Sequence, residues 1–392
     1  MKRWTRALAL GVTSTLLGCS SGGGSRAGSA TTRTTMLPVS AGALVSQRAL
    51  DAVAIGYERS CRSPGAVVAV RARGGAERFA RAGDFASDVP LSTDSDFFAG
   101  SVTKLFVATL AFQLVAAHEL ALTSRVSTYL PTWPDGRRIT VAMLLDHTSG
   151  MGDFANDFSP QLRTLVLDDL RRVYGYDEVL ALVRAVPRVA APGATYHYSN
   201  ANYIVLGAIE RRVLGRSLGA AMERRIITPL HLSHTFYAPD DLARLAKVEF
   251  HGLFDVFGNG DPIDIAGFPR SAAFTVDPAG SGLVTNASDL LTFLHELYDT
   301  STLVARGDAR QLADSVSTVH ERDLLLGGGH TISGHGGASP GAQVLAVHDF
   351  RTDDDVVVWC NRLDPGAEEL LPSVVAVRRL VVALRSLDAR RR

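Results

Sequence analysis

Strand-like apolar segments stand at both ends of this chain, and helical periodicity fills the space between them. That order restricts the fold more than any other feature. After a helix-like stretch over residues 44–61, residues 66–73 and 77–84 read as strands. Strand patterns return only at residues 331–334, 343–348 and 355–360, followed by an amphipathic helix through "PSVVAVRRLVVALRSL". Between the two groups, helical spacing runs over residues 102–117, 141–145, 176–185, 201–214 and 218–227. Pro/Gly punctuation at "YLPTWPDG", "TSGMGDF" and "VAAPGATY" separates these helices. Strands at both ends with helices between them suggest a fold that is α/β of the α+β kind. One antiparallel sheet is built from both chain ends and flanked by helices, with a mainly helical region inserted. With 392 residues, 46% of them hydrophobic, the chain can bury a large core, and no internal repeat divides it.

The first residues read differently. Lys2, Arg3 and Arg6 form a positive start, and residues 7–17 form an apolar run too short to span a bilayer. Leu16-Leu17-Gly18-Cys19 resembles the lipobox of bacterial lipoproteins, which makes Cys19 the expected lipidation site. Residues 1–18 are then a signal peptide, residues 19–40 a Gly/Ser/Thr-rich tether and residues 41–392 the folded domain. The expected location is the bacterial cell envelope, on its periplasmic or extracellular face, with the lipid holding the protein to a membrane. Formal net charge is zero, and no basic run or RNA-binding pattern points to nucleic acid. Two cysteines remain, Cys61 and Cys360, beside strands that could be antiparallel neighbours. A disulfide and two separate buried thiols are both open.

Lysine is nearly absent. Of 40 basic residues only Lys2, Lys104 and Lys247 are lysine, and the rest are arginine. Lys104 nevertheless stands inside "FFAGSVTKLFVATLAFQLVAAHEL", a segment apolar on every side. On a helix beginning near Ser101, residues 101 and 104 share a face. Burial and the positive helix end both lower an ammonium pKa, so a lysine there can act as a base toward the serine hydroxyl. Arginine cannot lose its proton, which accounts for the exception. A Ser-x-x-Lys spacing alone is weak, because chance supplies it often.

Two further motifs follow in order. Tyr198-Ser199-Asn200 opens a helix, and His335-Gly336-Gly337 precedes a late strand. Read singly, these are a core aromatic, a helix N-cap and a glycine turn. Together with Ser101-x-x-Lys104 they resemble the serine β-lactamase and DD-peptidase superfamily, in its class C-like branch. "VSTYLPTWPDGRRITVAMLLDHTSGM", "PGATYHYSNANYIVLGAIE", "PAGSGLVTNASDLLTFL" and "GHGGASPG" look like family segments in family order. The likeness is strongest to D-Ala-D-Ala carboxypeptidases of the actinomycete type.

That resemblance implies roles. Ser101 would be the acylated nucleophile and Lys104 its activator. Tyr198 would pass a proton to the leaving group, and Asn200 would orient Lys104 and hold the substrate amide. The backbone N–H groups of Ser101 and Ala338 would form the oxyanion hole. His335 would stand at the cavity wall, with Gly336 and Gly337 lining the substrate and Arg322 a candidate for its carboxylate. The expected substrates are a peptidoglycan stem peptide, a β-lactam or an ester, and the expected form is a monomer with no cofactor. A class C-like β-lactamase, an esterase and a non-catalytic penicillin-binding sensor are the alternatives. One departure matters. Histidine replaces the lysine usual in class C β-lactamases, which removes a fixed positive charge and weakens the case for carboxylate-bearing substrates.

Two decoys are set aside. Gly337-Ala338-Ser339-Pro340-Gly341 matches the α/β-hydrolase elbow, but an apolar strand-like run follows where that elbow needs a helix. No metal site is read either, because His231-x-x-His234 lacks further ligands nearby and no His-Glu-x-x-His occurs.

Overall fold

The computed structural model describes residues 45–86, 89–155, 159–316, 331–363 and 371–389. Arg322, Cys19 and the whole of residues 1–40 lie outside them. A five-stranded antiparallel sheet joins the two ends of the chain. Its strands are β1 (Gly65–Arg71), β2 (Glu77–Gly83), β3 (Ile332–Ser339), β4 (Ala342–Asp349) and β5 (Asp354–Cys360), in the order β2-β1-β5-β4-β3. The β1–β5 pairing sets Ala66 opposite Cys360 and Arg71 opposite Asp355. It is the seam between the N-terminal and C-terminal parts of the chain. Beside it, Cys61 and Cys360 are joined in a disulfide, with Cα atoms 6.7 Å apart.

β1, β4 and β5 are buried on both faces, so they read as continuous apolar runs rather than alternating ones. On one face Val68, Val70, Leu345, Val356 and Val358 pack against helices α1 (Gln47–Cys61) and α5 (Leu371–Ala389). On the other, Val67, Ala69, Val344, Ala346, Val357 and Trp359 join the larger core with the inserted helices. Chief among those are α2 (Thr103–Ala116), α3 (Asn200–Leu214) and α4 (Ala287–Tyr298).

Several expectations shift. The helix expected near Ser101 begins as a 3-10 turn over Gly100–Val102, and the α-helix proper starts at Thr103. His335-Gly336-Gly337 lies inside β3 rather than ahead of a strand. Glycine usually weakens a strand, but here it permits close backbone approach. A Cβ on Gly334 would come within 2.1 Å of the Ala346 carbonyl oxygen, and one on Gly337 within 2.1 Å of the Ala99 carbonyl oxygen. The helix expected over residues 218–227 is α-helical to Met222 and then widens into a π turn. Thr228 holds that turn, bonding Glu223 through both its backbone N–H (2.9 Å) and its hydroxyl (2.5 Å). Ser339-Pro340-Gly341 sits at the tight β3–β4 turn with a strand after it, which excludes the hydrolase elbow.

Candidate active site

Three elements converge at Ser101. The 3-10 turn carries it, the first turn of α2 carries Lys104, and the chain entering α3 carries Tyr198 and Asn200. Lys104 Nζ donates to Ser101 Oγ at 2.8 Å, to Asn200 Oδ1 at 2.6 Å and to the Gly280 carbonyl at 3.0 Å. The Tyr198 hydroxyl donates to the same Ser101 oxygen at 2.9 Å. The nucleophile candidate thus sits between a lysine and a tyrosine, both in hydrogen-bond contact.

α2 explains why the lysine is dry. Eleven of its fourteen residues are buried, Lys104 included, so the helix has no polar face to turn toward water. Desolvation lowers the Lys104 pKa to about 8, against the opposing pull of Asp277 and Asp153. Asp277 in turn is raised to about 6 by burial, and Asp153 is raised for the same reason. Asp153 also fixes the entry to α3, because its Oδ2 accepts the Asn200 backbone N–H at 2.5 Å.

β3 closes the site from the sheet side. Directly opposed residues of an antiparallel pair share a face. His335 faces Ala346 and Gly337 faces Val344, and both partners belong to the core beneath the inserted helices. His335 therefore points toward the site. Its ring centre is 6.2 Å from that of Tyr198, and its Nδ1 donates to the Gly336 carbonyl at 2.5 Å. Gly337 touches the Ala99 backbone, so its lack of a side chain serves the junction between the nucleophile turn and the strand. Gly336 faces Leu345 and so alternates to the other face. Gly100 has φ +50°, and a Cβ there would come within 2.6 Å of the Ala338 backbone nitrogen. The two proposed oxyanion donors accordingly sit on adjoining backbones.

Sequence reasoning missed His147, Asp153 and Asp277. His147 is 1% exposed and stacks on Tyr198 with ring centres 4.5 Å apart. Its Nδ1 accepts the Ser199 backbone N–H and the Asn202 side-chain amide, each at 3.2 Å. Burial and the nearby Lys104 push its pKa well below the usual imidazole value, so it is a neutral support for the tyrosine. The available signals were a histidine and an aspartate flanking "TSGMG", and an aspartate before proline in "FTVDPAGSG".

Comparison with known proteins identifies the family. A family model described as Beta-lactamase matches residues 50–375. The chain is 34% identical over 214 residues to Penicillin-binding protein 4 of Amycolatopsis lactamdurans, covering 52% of this chain and 51% of that protein. It thus spans about half the length of that relative. It is 33% identical over 272 residues to Esterase EstB of Burkholderia gladioli, covering 63% and 69%. Among solved structures, the D-amino acid amidase of Ochrobactrum anthropi SV3 superposes with a TM-score of 0.71 at 19% identity, over 87% of this chain and 99% of that one. The octameric penicillin-binding protein homologue of Pyrococcus abyssi also gives 0.71, at 20% identity over 86% and 78%. With a matching fold, and a family match running over most of its length, the chain belongs to the beta-lactamase family, within the superfamily of serine hydrolases.

Proposed function

We propose that this protein is an envelope-anchored hydrolase that cleaves amides or esters through an acyl-enzyme on Ser101. The observation that carries the reading is the pair of hydrogen bonds from Lys104 and Tyr198 to the Ser101 oxygen. Neutral Lys104 takes the Ser101 proton as Oγ bonds to the acyl carbon. The oxyanion rests on the N–H groups of Ser101 and Ala338, a type of interaction that contributes about 3–4 kcal/mol per donor. Tyr198 delivers a proton to the departing amine or alkoxide, and the same groups then deprotonate the water that releases the acyl group.

A D-Ala-D-Ala carboxypeptidase-like activity and an esterase are the two leading forms. His335 favours acyl donors without a carboxylate at that end, because a histidine, unlike a lysine, supplies no fixed cation. The similarity to Esterase EstB supports the same side. The deciding experiment labels the protein with a fluorophosphonate and a fluorescent penicillin, beside p-nitrophenyl esters, nitrocefin and a diacyl-D-Ala-D-Ala peptide. Expected results are labelling at Ser101 that Ser101→Ala abolishes, loss of at least about a hundredfold in Lys104→Arg, and poor nitrocefin turnover. A folded protein that takes no label sinks the covalent mechanism and leaves the penicillin-binding sensor. Efficient nitrocefin hydrolysis makes it a β-lactamase. Anchoring rests on the Cys19 lipobox, and loss of fatty-acid incorporation in Cys19→Ser tests it.

A further inference from the structure

The end of the sheet away from Ser101 holds a second convergence of polar groups. His348 and Asp355 are directly opposed on β4 and β5, and both are 0% exposed. His348 lies five residues along β4 from Gln343, the partner of Ala338, which is about 17 Å at ordinary strand rise. It is therefore outside the catalytic group. The last turn of α4 comes down over it, bringing His295 and the capping residue Asp299. Asp353, in the β4–β5 turn, comes from the third side.

The geometry of His348 is that of a ligand rather than of a filled ion pair. Nδ1 lies 2.9 Å from Asp355 Oδ1, and in the neutral tautomer that donates there the lone pair is on Nε2. Nε2 is buried, has no hydrogen-bond partner among the described residues, and lies 3.7 Å from Asp299 Oδ1. That gap is too long for a hydrogen bond. It is close to the ~3.4 Å that separates two ligands on one tetrahedral ion at ordinary zinc–nitrogen and zinc–oxygen distances. Donor atoms of Asp299, His348 and Asp353 fall within 4.8 Å of one another, as do those of His295, Asp299 and Asp355. Asp355 Oδ2 is also buried, with no hydrogen-bond partner among the described residues. Tyr298 stacks on the His348 ring at 5.2 Å and Phe350 meets it edge-on at 4.5 Å, so the imidazole cannot turn away. The neighbouring Asp349 shows what a satisfied carboxylate looks like here: Arg385 bonds both of its oxygens, at 2.6 and 2.9 Å. Among the described residues the Asp353 carboxylate meets Arg73 at 3.5 Å, on a half-exposed side chain, and the Asp299 carboxylate meets His295 and His348.

We propose that the sheet end carries a divalent metal site of the zinc class, with His348 Nε2 and the carboxylates of Asp299 and Asp353 as ligands and Asp355 orienting the imidazole. One nitrogen and two oxygens suit zinc, with water completing the shell. A carboxylate behind the ligating histidine is the usual second partner. The ion would tie the β4–β5 hairpin to α4 and carry no step at Ser101.

The test uses the full chain in a Cys19→Ser background, which removes the one thiol outside the disulfide, after chelator treatment and dialysis. Zinc chloride is titrated by calorimetry, and thermal unfolding is followed with and without about 100 µM zinc. One equivalent should bind at about micromolar affinity and raise Tm by about 5 °C. Asp299→Asn and Asp353→Asn, both at partly exposed positions, should each weaken binding at least about tenfold while leaving ester hydrolysis unchanged. His348→Gln should abolish it, and the two aspartate variants decide the matter if that protein does not fold. Zinc bound as tightly by both aspartate variants as by the parent overturns the proposal. So does the absence of saturable binding and of any Tm shift up to about 1 mM zinc, which would assign the cluster to a protonated His348 shared by Asp299 and Asp355.

Discussion

Lys104 loses its proton near pH 8 because burial outweighs the attraction of two aspartates. The free amine is the base, so acylation should climb with pH and level off above about 8. Asp277 is the largest influence opposing that shift. Removing its charge in Asp277→Asn should lower the lysine's pKa further and move the rising limb to lower pH. Acylation rates measured from pH 5.5 to 9 check the sign, and a limb that stays put or moves toward alkali refutes the coupling. Ser101, Lys104, Tyr198 and Asn200 were legible because their spacing and chemistry are local. His147, Asp153 and Asp277 were not, because only the folded chain buries them and brings them to the lysine.

Among the elements, α3 holds an anomaly of its own. Glu210 is 0% exposed, and neither carboxylate oxygen has a hydrogen-bond partner among the described residues. Burial pushes its pKa well above the usual carboxylate value. A raised folded pKa means that the native state binds the proton more tightly than the unfolded chain does. Stability from this group is therefore present below about pH 4.5 and is lost as pH rises. Glu210→Met should stabilise the protein by about 1–3 kcal/mol at neutral pH, with a margin that shrinks in acid. Denaturant unfolding at pH 7.5 and pH 5 reads both, and a destabilised variant at pH 7.5 refutes the argument. Helices 141–145 and 176–185 were readable with correct bounds, since periodicity and punctuation agree there. The α4 segment was noticed only as a family-like stretch, although Asn286 caps it by accepting the Asp289 N–H at 2.8 Å. The glycine-rich β3 was misplaced because its strand character depends on neighbours that approach where side chains would stand.

At the scale of the molecule, the disulfide spans 299 residues and clamps α1 to β5. Replacing both cysteines by alanine should cost about 2–5 kcal/mol, read as a lower urea midpoint, while labelling at Ser101 survives in the folded fraction. An unchanged midpoint would show that the β1–β5 pairing alone holds the seam. That strands from both ends share one sheet was predictable, because each group needs partners, whereas their order within it was not. The face carrying each catalytic group was not, since register decides it. That same sheet has a consequence for biosynthesis. A ribosome makes Ser101 and Lys104 early, yet the β3 backbone they lean on comes more than 200 residues later. Until then β1 lacks β5 and the serine lacks the Ala338 N–H. Chain ends far apart in sequence pair slowly, so a prematurely terminated product would carry the nucleophile without the means to use it. Acylating power would thus be withheld until the strands Ile332–Ser339 to Asp354–Cys360 have been made.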